Sequence, residues 1–174
     1  MNEALDRLAK EVALADPANE RLRFEFGHAC VLRVRHLLEE PPVLECLSAL
    51  EQYLDGGLDR TRLETIAAEA ARLATRHQGS KSIDGCGHAA VSATYAVANA
   101  LAGKALQAAE YAAYAAVYGQ GGYGAVADPE SFQPEFCWQV DCLASLSRLH
   151  GLQREDEGTV GPESSPGASL PHRL

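Results

Sequence analysis

Apolar residues recur along this chain at intervals of three and four, the period of an α-helix. Leu5, Leu8, Val12 and Ala15 form the first stripe and predict a helix over about 2–15. Asp16-Pro17 ends that helix and starts another, because Asp caps a helix N-terminus and Pro suits its first position. The second helix carries Leu22, Phe26, Cys30, Val34 and Leu37 and is expected to run to Glu39-Glu40. Pro42 opens a third, with Leu44, Leu47, Leu50 and Leu54 inward and Gly56-Gly57 as its stop. Asp59 caps a fourth, with Leu63, Ile66, Ala70, Leu73 and Ala74 on one side and Gly79-Ser80 at its end.

From His88 to Tyr118 the chain turns alanine-rich, which favours helices that approach one another closely. Gly103 divides this run in two. Residues 119–135 have no periodicity and are expected to form a long loop, followed by a last helix over about 135–150 with Phe136, Val140, Leu143 and Ser147 on one face. Beyond Gly151 the composition shifts to Gly, Pro, Ser and Glu, so 151–174 is expected to be a disordered tail. Alternating strand patterns are missing. The expectation is an all-α protein: one compact bundle of about six or seven helices over 1–150.

Composition narrows the function classes. The 174 residues suit a single domain. Acidic residues number 24 against 15 basic, a net charge of −9. That balance argues against binding nucleic acid or an anionic membrane, and leaves open an acidic surface aimed at a basic protein. Five cysteines, odd in number and without a CxxC pair, read as reduced thiols. The N-terminal stretch lacks a basic region followed by a continuous apolar one, so a cytoplasmic location is expected.

Several groupings carry candidate chemistry. Cys86-x-His88, joined in space by His77 or His28, resembles a zinc ligand set, and a thiol at a helix N-terminus can serve as a nucleophile. Only one tight pair is present, whereas structural zinc sites use two, and a buried Cys beside a capping His is the plainer reading. Gly119-Gln120-Gly121-Gly122-Tyr123-Gly124 has the look of a phosphate cradle but lacks the strand before it and the helix after it, so a helix stop and flexible turn is expected. Tyr111, Tyr114 and Tyr118 share one helix face, with Tyr95 on the preceding helix, and suit either a packed ridge or a binding face. Glu39, Glu40, Glu45, Glu51, Asp55 and Asp59 make the 39–59 hairpin acidic. No carboxylate pair has neighbours that mark it for acid–base catalysis, and no cofactor is implied.

Two stretches carry a family resemblance. His28-Ala29-Cys30 through Leu37, Leu38 and Glu39, then Pro41-Pro42, Ala49, Tyr53 and Gly56-Gly57, form one; Gly87-His88-Ala89-Ala90 with Tyr95-Ala96 and Tyr111–Ala116 form the other. Together, over about 25–118, they resemble the small alanine-rich helical immunity proteins encoded beside bacterial polymorphic toxins. An arginine-proline after the prolines is missing, Tyr53 stands where that family has Trp, and 119–150 has no counterpart in it. The resemblance implies a non-enzymatic protein that neutralises a cognate toxin, possessing a basic nuclease-like domain, through an acidic helical surface. The expected contact residues are Glu39, Glu40, Glu51, Asp55, Tyr111, Tyr114 and Tyr118. Two other classes stay open: a metal-binding or cysteine-dependent enzyme at Cys86, His88 and His77, and a homo-oligomeric helical scaffold.

Overall fold

A computed structural model of the chain describes residues 1–79 and 87–152. Helix α1 spans Glu3–Glu11, where the Asn2 side chain accepts a hydrogen bond from the Leu5 amide at 3.2 Å. It ends short of Ala15 because Ala13 adopts a left-handed φ of 49°. Asp16 caps a single 3-10 turn, Pro17–Asn19, and α2 follows over Glu20–Arg33. The apolar stripe that suggested a continuation to residue 39 is real, but its last part is a tighter 3-10 turn, Arg35–Leu37. That turn keeps Leu37 and Leu38 buried while redirecting the chain.

Helix α3 runs over Pro41–Leu54 and α4 over Arg60–Arg76, the latter capped by Asp59, which accepts from the Arg62 amide at 2.8 Å. Helix α5 covers Gly87–Leu101, and Gly103 breaks the alanine run before α6, Ala105–Ala127. Asp128 caps a 3-10 turn, Pro129–Phe132, that leads into α7, Gln133–Leu149. The expected loop over 119–135 is thus corrected: helix continues to Ala127, interrupted at Gly122. Glycines at 119, 121, 122 and 124 erased the periodic signal, yet Val117, Ala125 and Val126 still gain a small core with Phe132 and Phe136.

The seven helices form one all-α bundle, with no strand among the described residues. No described helix is long and apolar enough to cross a membrane. The expected tail lies almost wholly outside the described residues, as does Cys86.

Two kinds of packing hold the bundle. Phe24, Phe26, Leu22, Leu47, Leu50, Leu63, Leu101 and Leu143 are fully buried, the largest apolar side chains to be so. Around them α5 and α6 pack along their alanines, Ala89, Ala93, Ala96 and Ala100 against Ala105, Ala108, Ala112 and Ala115. Helix α2 leans on both, and Gly27 lets it approach: a Cβ there would stand 3.3 Å from that of Ala100.

The inward face of α7 is only half the expected one: Leu143 and Ser147 lie on it, Phe136 and Val140 do not. Glu135, Gln139, Leu143 and Ser147 point inward, while Phe136 and Val140 are half-buried. Each polar group finds a partner. Arg33 donates to both Glu135 oxygens at 2.5 and 2.9 Å and lies over the Trp138 ring at 4.6 Å. Gln139 donates to the Ala109 carbonyl at 2.7 Å and accepts from Asn2 at 3.1 Å, tying α1, α6 and α7 together. A buried polar side chain is tolerated on these terms and not otherwise.

Candidate functional site

The outward face of α6 carries the tyrosines that its inward alanines leave room for. Tyr111 stacks on Tyr95 of α5, with centroids 5.0 Å apart and planes at 19°. Tyr114 meets Phe132 edge-on at 5.1 Å, and Phe132 lies 5.6 Å from Phe136 of α7. Tyr118 stacks on His88 at 5.5 Å and lies 6.4 Å from Tyr114. Tyr123 closes the other end, 5.2 Å from His88 and 5.7 Å from Tyr118, both edge-on. The rings form one continuous band from Tyr123 to Phe136.

The band is partly open to solvent, with Tyr114 37 % and Tyr123 62 % exposed, and the separate Tyr111–Tyr95 stack leaves Tyr111 36 % exposed. Tyr123 belongs to it through the backbone. Five residues along an unbroken helix would place Tyr123 about 140° around the axis from Tyr118. Gly122, at φ 61° and ψ −149°, occupies a conformation reserved for glycine, and the turn it makes brings Tyr123 onto Tyr118 and His88. The glycine run is therefore a structural break that seats a ring, not a flexible turn. Gly119 rests against Leu37, so this end of the band adjoins the turn that leads to Glu39 and Glu40.

The expected acidic surface divides on inspection of its partners. Glu51 faces His28 at 3.4 Å and Arg35 at 3.7 Å. Glu40 faces Nε2 of His77 at 3.7 Å, while Nδ1 of that ring accepts from the Gly79 amide at 3.0 Å. Asp55 ends α3 and is exposed, as is Glu39. The structure thus brings Tyr114 and Tyr118 together, stacks Tyr111 on Tyr95 instead, places Glu39 and Glu40 near one end of the band, and leaves Glu51 engaged within the α2–α3 side.

Other carboxylates, not expected from the sequence, stand at the opposite end of the band. A cleft of about 200 Å³ between α1, α6 and α7 is lined by Leu5, Asp6, Leu106, Glu110 and Phe136, among others. A second, of about 370 Å³, shares Met1, Glu110 and Phe136 with it and extends to Tyr114 and Phe132. These residues escaped sequence reasoning because only the meeting of α1, α6 and α7 unites them.

The sulfur and imidazole groups take separate roles. His77 is bound to Gly79 and faces Glu40, whereas His88 belongs to the aromatic band. The backbones of Gly79 and Gly87 lie against each other, within 3.6 Å of a Cβ built on Gly79. Cys86, the third member of the expected set, lies outside the described residues. Among the described residues no group of three His, Cys, Asp or Glu could hold a metal ion. Burial pushes the Cys30 thiol well above its ordinary 9.0, with Cys142 and Glu135 adding to the effect, and burial also raises Cys46 and Cys142. Thiols held protonated in this way are poor nucleophiles.

No protein-family model matches this chain, and neither does any curated protein or solved structure.

Proposed function

We propose that this chain is a non-catalytic binding protein of the immunity type, acting in the cytoplasm, that blocks a basic partner protein with the aromatic face of α6. The partner class is a cognate bacterial toxin with a nuclease-like domain, as the family resemblance implies. One observation carries the reading: a run of ring contacts from Tyr123 through Tyr118 and Tyr114 to Phe132 and Phe136, open to solvent at Tyr114 and Tyr123, with the exposed Tyr111 stacked on Tyr95 on the same helix face. Tyrosine supplies large contact area at low entropy cost, and such residues dominate protein interfaces. The net charge of −9 adds long-range attraction for a basic cleft.

The test is co-expression with the toxin domain encoded by the neighbouring gene. The intact chain restores growth and binds the purified domain; the Tyr114→Ala, Tyr118→Ala double variant does neither while keeping its helical circular-dichroism spectrum. Growth arrest unrelieved by the intact chain, together with no binding, overturns the reading.

A further inference from the structure

We propose that His77 is a proton-operated latch at the end of α4: its neutral ring holds the Gly79 amide, and its protonated ring releases that amide and pairs with Glu40 instead. The inference stands apart from the binding reading above.

One hydrogen bond fixes the starting state. The Gly79 amide donates to Nδ1 of His77 at 3.0 Å. A ring nitrogen that accepts carries no proton, so the proton of the neutral ring sits on Nε2, the atom that faces a Glu40 oxygen at 3.7 Å. The side chain is only 4 % exposed, so water offers Nδ1 little replacement for the amide. Protonation reverses the role of Nδ1. Both ring nitrogens then donate, and an Nδ1 proton confronts the Gly79 N–H across a distance that suited a hydrogen bond. Two donors cannot share that contact, so the ring and the glycine part. In exchange the cation gains the Glu40 carboxylate, which is 44 % exposed and can swing the remaining distance into a charge-assisted bond.

The surrounding charges leave this exchange to the two residues. On α4 itself Arg76 is exposed and Arg72 pairs with Glu69. Glu39 and, on α3, Glu45 are exposed. In the turn Arg35–Leu37 the Arg35 guanidinium faces Glu51 and His36 is exposed. On α5 the first titratable side chain, His88, stacks on Tyr118. Glu40 is the one acid paired with His77 among the described residues.

Release is felt beyond α4. Gly79 lies against Gly87, the first residue of α5, whose atoms stand 3.6 Å from a Cβ built on Gly79. His88 follows directly and meets Tyr118 and Tyr123 at the edge of the aromatic band. A proton taken up by one ring at the end of α4 therefore reaches the start of α5.

The test is nuclear magnetic resonance of the isotope-labelled full chain between about pH 8 and pH 5, the range over which histidine changes charge. At the upper end the ring nitrogen shifts of His77 should report a proton on Nε2 alone. As that ring titrates, exchange of the Gly79 amide with water, corrected for the intrinsic pH dependence of exchange, should quicken about fivefold or more with the same midpoint. The Gly87 amide should shift with it. His77→Asn keeps an acceptor for the amide two residues on, as Asx turns do, and has no proton to take up. Its Gly79 exchange should stay slow throughout, and whatever shift at Gly87 persists in it belongs to His88. Glu40→Gln should lower the His77 midpoint by about 0.5 unit. A proton on Nδ1 at the upper end, Gly79 exchange that ignores the titration of His77, or a quickening that survives His77→Asn would each overturn the proposal. Should His77→Asn fail to fold, Glu40→Gln decides: release of Gly79 must follow the lowered midpoint, and release at the parent midpoint overturns the latch.

Discussion

The α2–α3 side of the bundle and the cleft around Phe136 are both acidic, yet their carboxylates lead different lives. On the first side Glu51 meets His28 and Arg35, Glu40 meets His77, and Glu20 meets Arg60. Glu135 is the extreme case, buried and gripped twice by Arg33. Around Phe136, Asp6 and Glu110 make no ion pair among the described residues, although Met1 lines the same cleft and Lys10 and Lys104 share an adjoining one with Asp6. Local acidity therefore does not sort these carboxylates: the richest acidic stretch of the sequence is partly spent on holding the fold, while Asp6 and Glu110 stand outside it.

Mutations sharpen that contrast in order of size. Glu135→Ala strands Arg33 and removes a polar contact from the core; a loss of about 2–3 kcal/mol in urea unfolding is expected, below the range for fully buried pairs because Arg33 is itself part-exposed. A loss under about 1 kcal/mol would erase the distinction between Glu135 and the surface carboxylates. Tyr114→Ala should weaken binding of the toxin domain by about 2 kcal/mol, near thirtyfold, by calorimetry. Glu51→Gln should cost about 0.5 kcal/mol, the scale of a surface pair. Asp6→Asn and Glu110→Gln should each leave stability within about 0.5 kcal/mol of the parent.

Alkali probes the buried side from another direction. Cys30 keeps its proton in the folded chain well above 9.0, because burial and its neighbours Cys142 and Glu135 disfavour the thiolate. The unfolded chain releases that proton first. Stability is consequently full below about pH 9 and declines as pH rises past it. Urea midpoints between pH 8 and 10.5 should fall, and Cys30→Ala should flatten the decline; an unchanged slope would mean that Cys30 does not contribute.

Much of the architecture was legible in the sequence because side chains advertised it. Leucine spacing marked α3 and α4, Asp59 marked a cap, and Gly103 marked the division between α5 and α6. Two features stayed hidden for opposite reasons. Glycines in the second half of α6 offer no side chains from which to read a period, and the inward face of α7 is written partly in Glu and Gln, whose burial depends on partners from α1, α2 and α6. The site divides likewise. Tyr111, Tyr114 and Tyr118 lie on one helix and were visible from spacing alone, but Tyr123 joins them through a backbone angle, and His88, Phe132 and Phe136 join them through tertiary packing.

Helix α6 keeps its two faces under independent control. Enlarging Ala108, Ala112 or Ala115 would crowd the core, since all three are buried in it. The tyrosine side is graded: Tyr111 and Tyr114 are exposed, whereas Tyr118 packs against the core. Sequence change on α6 should therefore be tolerated most where Tyr111 and Tyr114 stand open and least along its alanines.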